Sequence, residues 1–188
     1  MNYSLRNMVE ECPVIAAIKD EAGLENCLDT DIGIVFVLFG DICSISDIVN
    51  TLKEHGKTAM VHIDLITGLG SKEIAVDYIK RMTSADGIIS TKPMLIKRAK
   101  ELGLFTIQRF FVLDSLALEN ISKQTDVHNT DLIEILPGVM PKIISRITGM
   151  INIPVIAGGL ISDKEDVISA LDAGAVAVST TKREVWEL

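Results

Sequence analysis

Ile153-Pro154-Val155-Ile156-Ala157-Gly158-Gly159-Leu160 is a short apolar run that stops on two glycines. One helix-length later, Gly174-Ala175-Val176-Ala177-Val178-Ser179-Thr180-Thr181 is a second such run, and it stops on hydroxyl residues. Together they have the character of the last two strands of a (β/α)8 barrel whose following loops hold a phosphate. Glycine lets backbone N–H groups approach an anion closely, and a helix start nearby adds partial positive charge. Gly158, Gly159, Ser179 and Thr180 are therefore the phosphate-binding candidates. The expected ligand is a small phosphorylated molecule.

Working outward, the same kind of run recurs along the chain. Expected strands are Val14–Ile18, Ile34–Phe39, Ala59–Asp64, Gly87–Ser90, Phe105–Arg109, Leu132–Leu136, Val155–Ala157 and Val176–Ser179. Helical patterns separate them, and that alternation implies parallel βαβ units. Eight such units close into a barrel. The fold class expected is thus α/β: a compact single-domain TIM (β/α)8 barrel over residues 1–188, with its ligand site at the C-terminal ends of the strands. The usual size of this fold is about 200 to 400 residues, so the connections here must be short.

Punctuation agrees with the barrel. Gly56, Gly103 and Gly174 each stand just past a helix, where a left-handed residue is wanted and a strand follows at once. Pro93 and Pro141 sit where first-turn prolines belong. Ser162-Asp163-Lys164-Glu165 has the spacing of a capping box. Glu184-Val185-Trp186-Glu187-Leu188 reads as a short closing helix in which Trp186 packs.

Composition narrows the class. Hydrophobic residues make up 48% of the 188 and aromatics only 4%, so the core must be built from Ile, Val, Leu and Ala. The first residues, Met-Asn-Tyr-Ser-Leu-Arg-Asn, contain no apolar signal segment, and no run is long enough to span a membrane. A cytoplasmic protein with no membrane contact is expected. Cys12, Cys27 and Cys43 show no CxxC spacing and read as free thiols. No pair of histidines stands at metal spacing, so no metal or cofactor is expected. His55 and His128 read as surface residues. The net charge of -8 sets the general surface against nucleic acid.

In a barrel, the polar groups that follow each strand face the ligand. Here they include Lys19, Asp64, Lys92, Arg109 and Glu134. An unpaired charge in the mouth is costly, so Lys19, Lys92 and Arg109 are expected to pair with Asp64 and Glu134. His62 precedes Asp64 by two, which places both on one strand face.

Several runs are familiar together. Leu38-Phe39-Gly40-Asp41, Val61-His62-Ile63-Asp64-Leu65, Asp86-Gly87-Ile88-Ile89-Ser90-Thr91-Lys92, Leu102 through Phe111, Ile133-Glu134-Ile135-Leu136-Pro137-Gly138 and Ile156-Ala157-Gly158-Gly159-Leu160-Ile161 resemble the glycerol-3-phosphate-responsive antiterminators of bacterial glycerol-uptake operons. The likeness runs from about Pro13 to Trp186. It implies a transcription regulator that senses glycerol 3-phosphate and acts on the leader mRNA so that a terminator is bypassed. The phosphate would lie at the Gly158-Gly159 and Ser179-Thr180 loops. Lys19, Asp64, Lys92, Arg109 and Glu134 are the candidates for the glycerol hydroxyls and the charges of the mouth. No RNA-binding motif accompanies this. The best basic cluster is Lys92, Lys97, Arg98 and Lys100 with Lys80 and Arg81 on the preceding helix, and a homodimer would concentrate it. The alternative from another class is a barrel enzyme, an isomerase or aldolase for a triose phosphate. Lys92 would then be a Schiff-base lysine, or Asp64 and Glu134 an acid and base.

Overall fold

The computed structural model describes residues 5–188; Met1–Ser4, part of the opening segment weighed above, lie outside them. The chain runs α1 (Leu5–Glu11), β1 (Val14–Ile18), α2 (Glu21–Leu28), β2 (Ile34–Val37), α3 (Ile45–Glu54), β3 (Thr58–His62), a 3₁₀ turn (Ile63–Leu65), α4 (Glu73–Met82), β4 (Gly87–Ser90), α5 (Pro93–Glu101), β5 (Phe105–Phe111), α6 (Ser115–Gln124), β6 (Leu132–Leu136), α7 (Pro141–Thr148), β7 (Val155–Gly158), α8 (Lys164–Asp172), β8 (Ala177–Thr180) and α9 (Arg183–Trp186). The strands form a closed parallel barrel in sequence order, β1 next to β8. The expected fold class is correct.

Local chemistry ends the elements where the sequence says it should. Gly56, Gly103 and Gly174 have φ of 72°, 68° and 101°. Pro93 and Pro141 open α5 and α7. The box at α8 is one residue later than expected. The Asp163 side chain accepts from Asp166 N–H at 2.9 Å, and Asp166 in turn accepts from Ser162 N–H at 2.9 Å. Aspartate makes this cap as well as serine does. Cys12, Cys27 and Cys43 are free thiols, half-buried, buried and exposed.

Three differences matter for the site. β3 stops at His62, and the 3₁₀ turn carries Asp64 out of the strand, so His62 and Asp64 do not share a strand face. β5 continues past Arg109 to Phe111, which places Arg109 inside the strand rather than at its end. Ahead of β1, the unexpected helix α1 sends Leu5 and Val9 into the cluster that fills the barrel interior.

The register builds that interior in layers. Paired residues on parallel neighbours point to the same face, and the face alternates along each strand. A walk that steps one residue forward at each strand runs Ala17, Val37, His62, Ser90, Arg109, Ile135, Gly158, Thr180 and returns to Ala17. Val37 and Ile135 pack outward against helices, whereas Ala17 belongs to the interior cluster. One layer therefore consists of Ala17, His62, Arg109 and Gly158, from alternate strands. The layer below is Phe36, Ile89, Glu134 and Ser179, by the same walk. Beneath it Ile15, Met60, Ile107 and Ile156 are buried apolar residues of the interior cluster. The barrel is a hydrocarbon core that becomes polar over its upper two layers, at the C-terminal ends of the strands.

Candidate functional site at the barrel mouth

Glu134 and Ser179 sit on β6 and β8, on either side of β7. They meet over Gly158: Ser179 Oγ donates to Glu134 Oε1 at 2.6 Å. A Cβ on residue 158 would lie 2.7 Å from Ser179 Oγ and closer still to Glu134 Oε1. The first of the two glycines thus clears a path for a buried carboxylate. The other oxygen of Glu134 accepts from Arg109 Nε at 2.5 Å, with Glu134 1% and Arg109 7% exposed. Ser179, Glu134 and Arg109 form one buried, charge-assisted chain.

That chain leaves Arg109 half used. Nε is pinned by Glu134, and the terminal nitrogens Nη1 and Nη2 hold no partner among the described residues. Arg109 lines a cavity of about 380 Å³, together with Ala17, Leu38, Glu134, Gly159, Thr181 and Lys182. Ala17 and Gly158 contribute almost no side chain to their layer, which is why room remains beside Arg109. Gly159 and Leu160 close one side of the cavity with consecutive left-handed residues, φ 74° and 63°. Leu160 is 74% exposed, so no burial offsets its strain of roughly 1–2 kcal/mol.

Two expected phosphate donors are already engaged. The Ser179 hydroxyl proton goes to Glu134, and the Thr180 hydroxyl donates to Ile161 O at 2.7 Å while accepting from Lys182 N–H. The first turn of α8 is occupied by Asp163 and Asp166, which does not favour an anion there. The donors left to the cavity are the Arg109 fork, the loop backbone, the Thr181 hydroxyl and Lys182. The arginine, expected among the mouth charges, lines this cavity with its terminal nitrogens unpaired among the described residues.

A second polar group stands across the mouth. Asp64 accepts from Thr91 N–H at 2.7 Å, from the Ser90 and Thr91 hydroxyls, and from Lys92 Nζ at 3.2 Å. Burial alone would raise the Asp64 pKa, but the Thr91 bonds and the Lys92 ammonium together hold it below its ordinary value. Lys92 Nζ also donates to Ser71 Oγ at 2.6 Å. The pairings expected of Lys92 and Arg109 are both made, Lys92 with Asp64 and Arg109 with Glu134; Lys19 is exposed and makes no ion pair among the described residues.

His62 lies between the two groups. Sequence spacing gave it no role beyond a shared face with Asp64, but the register puts it in the layer of Arg109. It is 3% exposed, and its Nδ1 is covered without a hydrogen-bond partner. Burial pushes its pKa from 6.5 down to about 4; Arg109 and Lys92 push the same way, while Asp64 and a contact with the backbone of residue 62 itself oppose them. The imidazole is neutral at pH 7.

On the outer face, the expected basic cluster is thinned. α4 and α5 are neighbours, as it requires. Arg98, however, donates to Asp77 on α4 at 2.6 Å and pairs with Glu101, and Lys100 pairs with Asp131 at 2.5 Å. Lys80, Arg81 and Lys97 remain exposed. His55 and His128 are exposed as expected, and buried Trp186 donates to Thr180 O at 2.8 Å.

A closed (β/α)8 barrel with a cavity at the C-terminal ends of its strands is the architecture of the TIM-barrel class. A model of the family described as "Glycerol-3-phosphate responsive antiterminator" matches residues 14–186, and the chain belongs to that family. A relative in Escherichia coli (strain K12), described as uncharacterized protein YgcP, is 47% identical over 184 residues, 98% of this chain and 96% of that protein. The crystal structure of the glycerol uptake operon antiterminator regulatory protein from Listeria monocytogenes str. 4b F2365 is 32% identical, with a TM-score of 0.90 over 100% of this chain and 98% of the other. That of a glycerol uptake operon antiterminator-related protein from Thermotoga maritima MSB8 is 34% identical, with a TM-score of 0.80 over 93% and 98%. A deoxyribose phosphate aldolase from Aeropyrum pernix shares the fold alone, at 14% identity and a TM-score of 0.71 over 97% and 90%. Among the described residues, no helix is long and apolar enough to cross a membrane.

Proposed function

We propose that this protein is a cytoplasmic sensor of glycerol 3-phosphate that acts on the leader mRNA of a glycerol-uptake operon as a transcription antiterminator. The observation that carries the ligand half is Arg109. A guanidinium fixed by one edge, with its other N–H groups turned over to a cavity, matches a phosphate group's need for two parallel donors. Lys182 and the Gly159–Leu160 and Thr181 backbone complete the anion side, and Ser179 and Thr180 support it by fixing Glu134 and the loop. The Asp64–Lys92 group supplies polar atoms on the opposite rim, and Lys19, after β1, stands beside the loop that follows β8. A cavity of about 380 Å³ has room for a triose phosphate.

Family membership favours the regulator over the barrel enzyme, and one geometric point agrees. A Schiff-base lysine reacts as the free amine. Lys92 is held by Asp64 and Ser71 as an ammonium would be, and it does not line the Arg109 cavity.

Thermal unfolding with glycerol, inorganic phosphate and glycerol 3-phosphate tests the ligand. Glycerol 3-phosphate at 100 times its dissociation constant should stabilise the fold by about 2.7 kcal/mol. Glycerol should do nothing. No response to glycerol 3-phosphate sinks the sensor. Borohydride trapping of a covalent adduct with a triose phosphate would restore the enzyme.

A further inference from the structure

The cavity beside Arg109 is built of hydrocarbon as much as of charge. Leu38, Leu136 and Leu160 line it together with the arginine. Leu38 stands two residues past Phe36 and packs on the interior cluster, so it faces inward. Leu136 stands two residues past Glu134 on β6 and shares its inner face. It lies under Gly159, where a Cβ would come within 3.1 Å of Leu136 Cδ2. Leu160 forms the open rim, 74% exposed. The polar atoms of the lining are largely spent. Both oxygens of Glu134 are taken by Arg109 and Ser179, the Thr180 hydroxyl donates to Ile161 O, and the Ser162 hydroxyl donates to Asp166 at 2.9 Å. Among the described residues, the cations that line the cavity are Arg109 and Lys182 and the carboxylate is Glu134, which leaves one net positive charge. Lys19 and Lys92 are not part of this lining. A phosphate monoester carries about 1.5 to 2 negative charges at pH 7, so it already outweighs what the lining offers.

We propose that Leu38, Leu136 and Leu160 set the specificity of the mouth by charge: the site takes phosphate monoesters with an uncharged body and rejects those that carry a second anionic group. With the phosphate at Arg109, the rest of a three-carbon ester lies against the leucines. An uncharged body loses little there, because its C–H groups meet hydrocarbon and its hydroxyls can reach Thr181 or the open mouth. A carboxylate or second phosphate finds no cation. It must either shed water against aliphatic carbon or turn outward and draw the phosphate off the arginine, and both are costly. Leaving the wrong ligand with an unpaired charge is a general means of discrimination. The inference rests on Arg109 as the phosphate partner.

Titration calorimetry of the full chain with glycerol 3-phosphate and with 3-phosphoglycerate tests this. The two esters differ at the far end of a three-carbon chain, a hydroxymethyl group in one and a carboxylate in the other. Wild type should bind glycerol 3-phosphate at least about tenfold more tightly. Leu38→Lys sets a cation among the leucines and should bring the ratio towards one by strengthening 3-phosphoglycerate, a gain that a damaged fold cannot produce. Leu160→Lys makes the same change at an exposed position, where an ammonium group costs the fold little, and should lower the ratio as well. Ile74→Lys adds the same charge on the exposed face of α4, outside the cavity, and should leave the ratio as it is in wild type. Equal binding of the two esters by wild type overturns the role of the leucines and leaves Arg109 standing as the phosphate partner. So does a ratio that neither cavity lysine lowers, or one that Ile74→Lys lowers as much as they do. Wild type that binds neither ester overturns both readings.

Discussion

His62 should impose an acid limit on the fold that can be measured as a slope. In the unfolded chain its imidazole takes up a proton near pH 6.5, whereas in the barrel it resists until about pH 4. Between those values the unfolded state binds the extra proton, so stability falls as the pH falls. The contribution is whole above pH 6.5 and gone below pH 4. Each unit of displacement is worth about 1.4 kcal/mol, so the window holds about 3 kcal/mol at most. The forces behind it are burial first and then the Arg109 charge, with Lys92 adding and Asp64 and the backbone of residue 62 subtracting. The Asp64 contribution acts at lower pH, because a carboxyl held below its ordinary value of 3.8 loses its advantage only as protonation sets in there. Urea unfolding at pH 7, 5.5 and 4.5, on wild type and on His62→Asn, isolates the difference. Asparagine keeps a polar group of similar reach and cannot titrate. Wild type should lose about 2 kcal/mol more than the variant between pH 7 and 4.5, close to the ceiling for that interval. Parallel curves for the two proteins would refute the account of His62 as a buried neutral base.

Gly158→Ala should destabilise the barrel by about 2–4 kcal/mol, since the new methyl group intrudes on a charge-assisted hydrogen bond; Gly33→Ala, with nothing within 4 Å of its Cβ, should change chemical unfolding by less than about 1 kcal/mol. Ala17→Val adds two carbons at the cavity wall and should abolish the thermal shift with glycerol 3-phosphate while the unliganded fold unfolds within about 1.5 kcal/mol of wild type. Reversing Lys80, Arg81 and Lys97 to Glu should weaken leader-RNA binding in a filter assay and flatten its salt dependence, because these three exposed cations are what the ion pairs of Arg98 and Lys100 leave over. Unaltered binding would move the RNA contact to another face.

The barrel was legible because its signals are local. A short apolar run, a stop, a helix and a glycine exit each occupy a few consecutive residues, and eight repeats leave one simple closure. The functional candidates were legible for the same reason, Asp64 and Lys92 because they follow strand runs and Arg109 and Glu134 because they are charges set within them. What each does was not. The double glycine reads as a phosphate cradle, yet residue 158 is glycine because Glu134 and Ser179, some distance away in sequence, meet across it. Partner choice among long side chains is equally non-local: Arg98 looks free on α5 until α4 brings Asp77 beside it. The helix α1 escaped notice because it is short and its apolar spacing, Leu5, Met8 and Val9, spans barely one turn.

The deeper reason lies in how a barrel makes a cavity. Strand positions such as Ala17, His62, Arg109 and Gly158 are far apart in the chain and become neighbours only once closure and stagger fix the register. Their sizes then matter as a set. Ala17 and Gly158 are small, so the layer keeps a gap beside Arg109, which borders it and cannot fill it. One layer down, Glu134 and Ser179 anchor the arginine from below, so its free donors are held in place before any ligand arrives. Holding them costs less at the moment of binding than ordering a mobile side chain would, which is how a small ligand with few atoms to offer is bound tightly. The same layer carries the unpaired imidazole. A buried arginine braced by a carboxylate, with its terminal donors still unpaired beside a cavity, calls for an anion, and that is a more specific demand than the barrel fold alone can make.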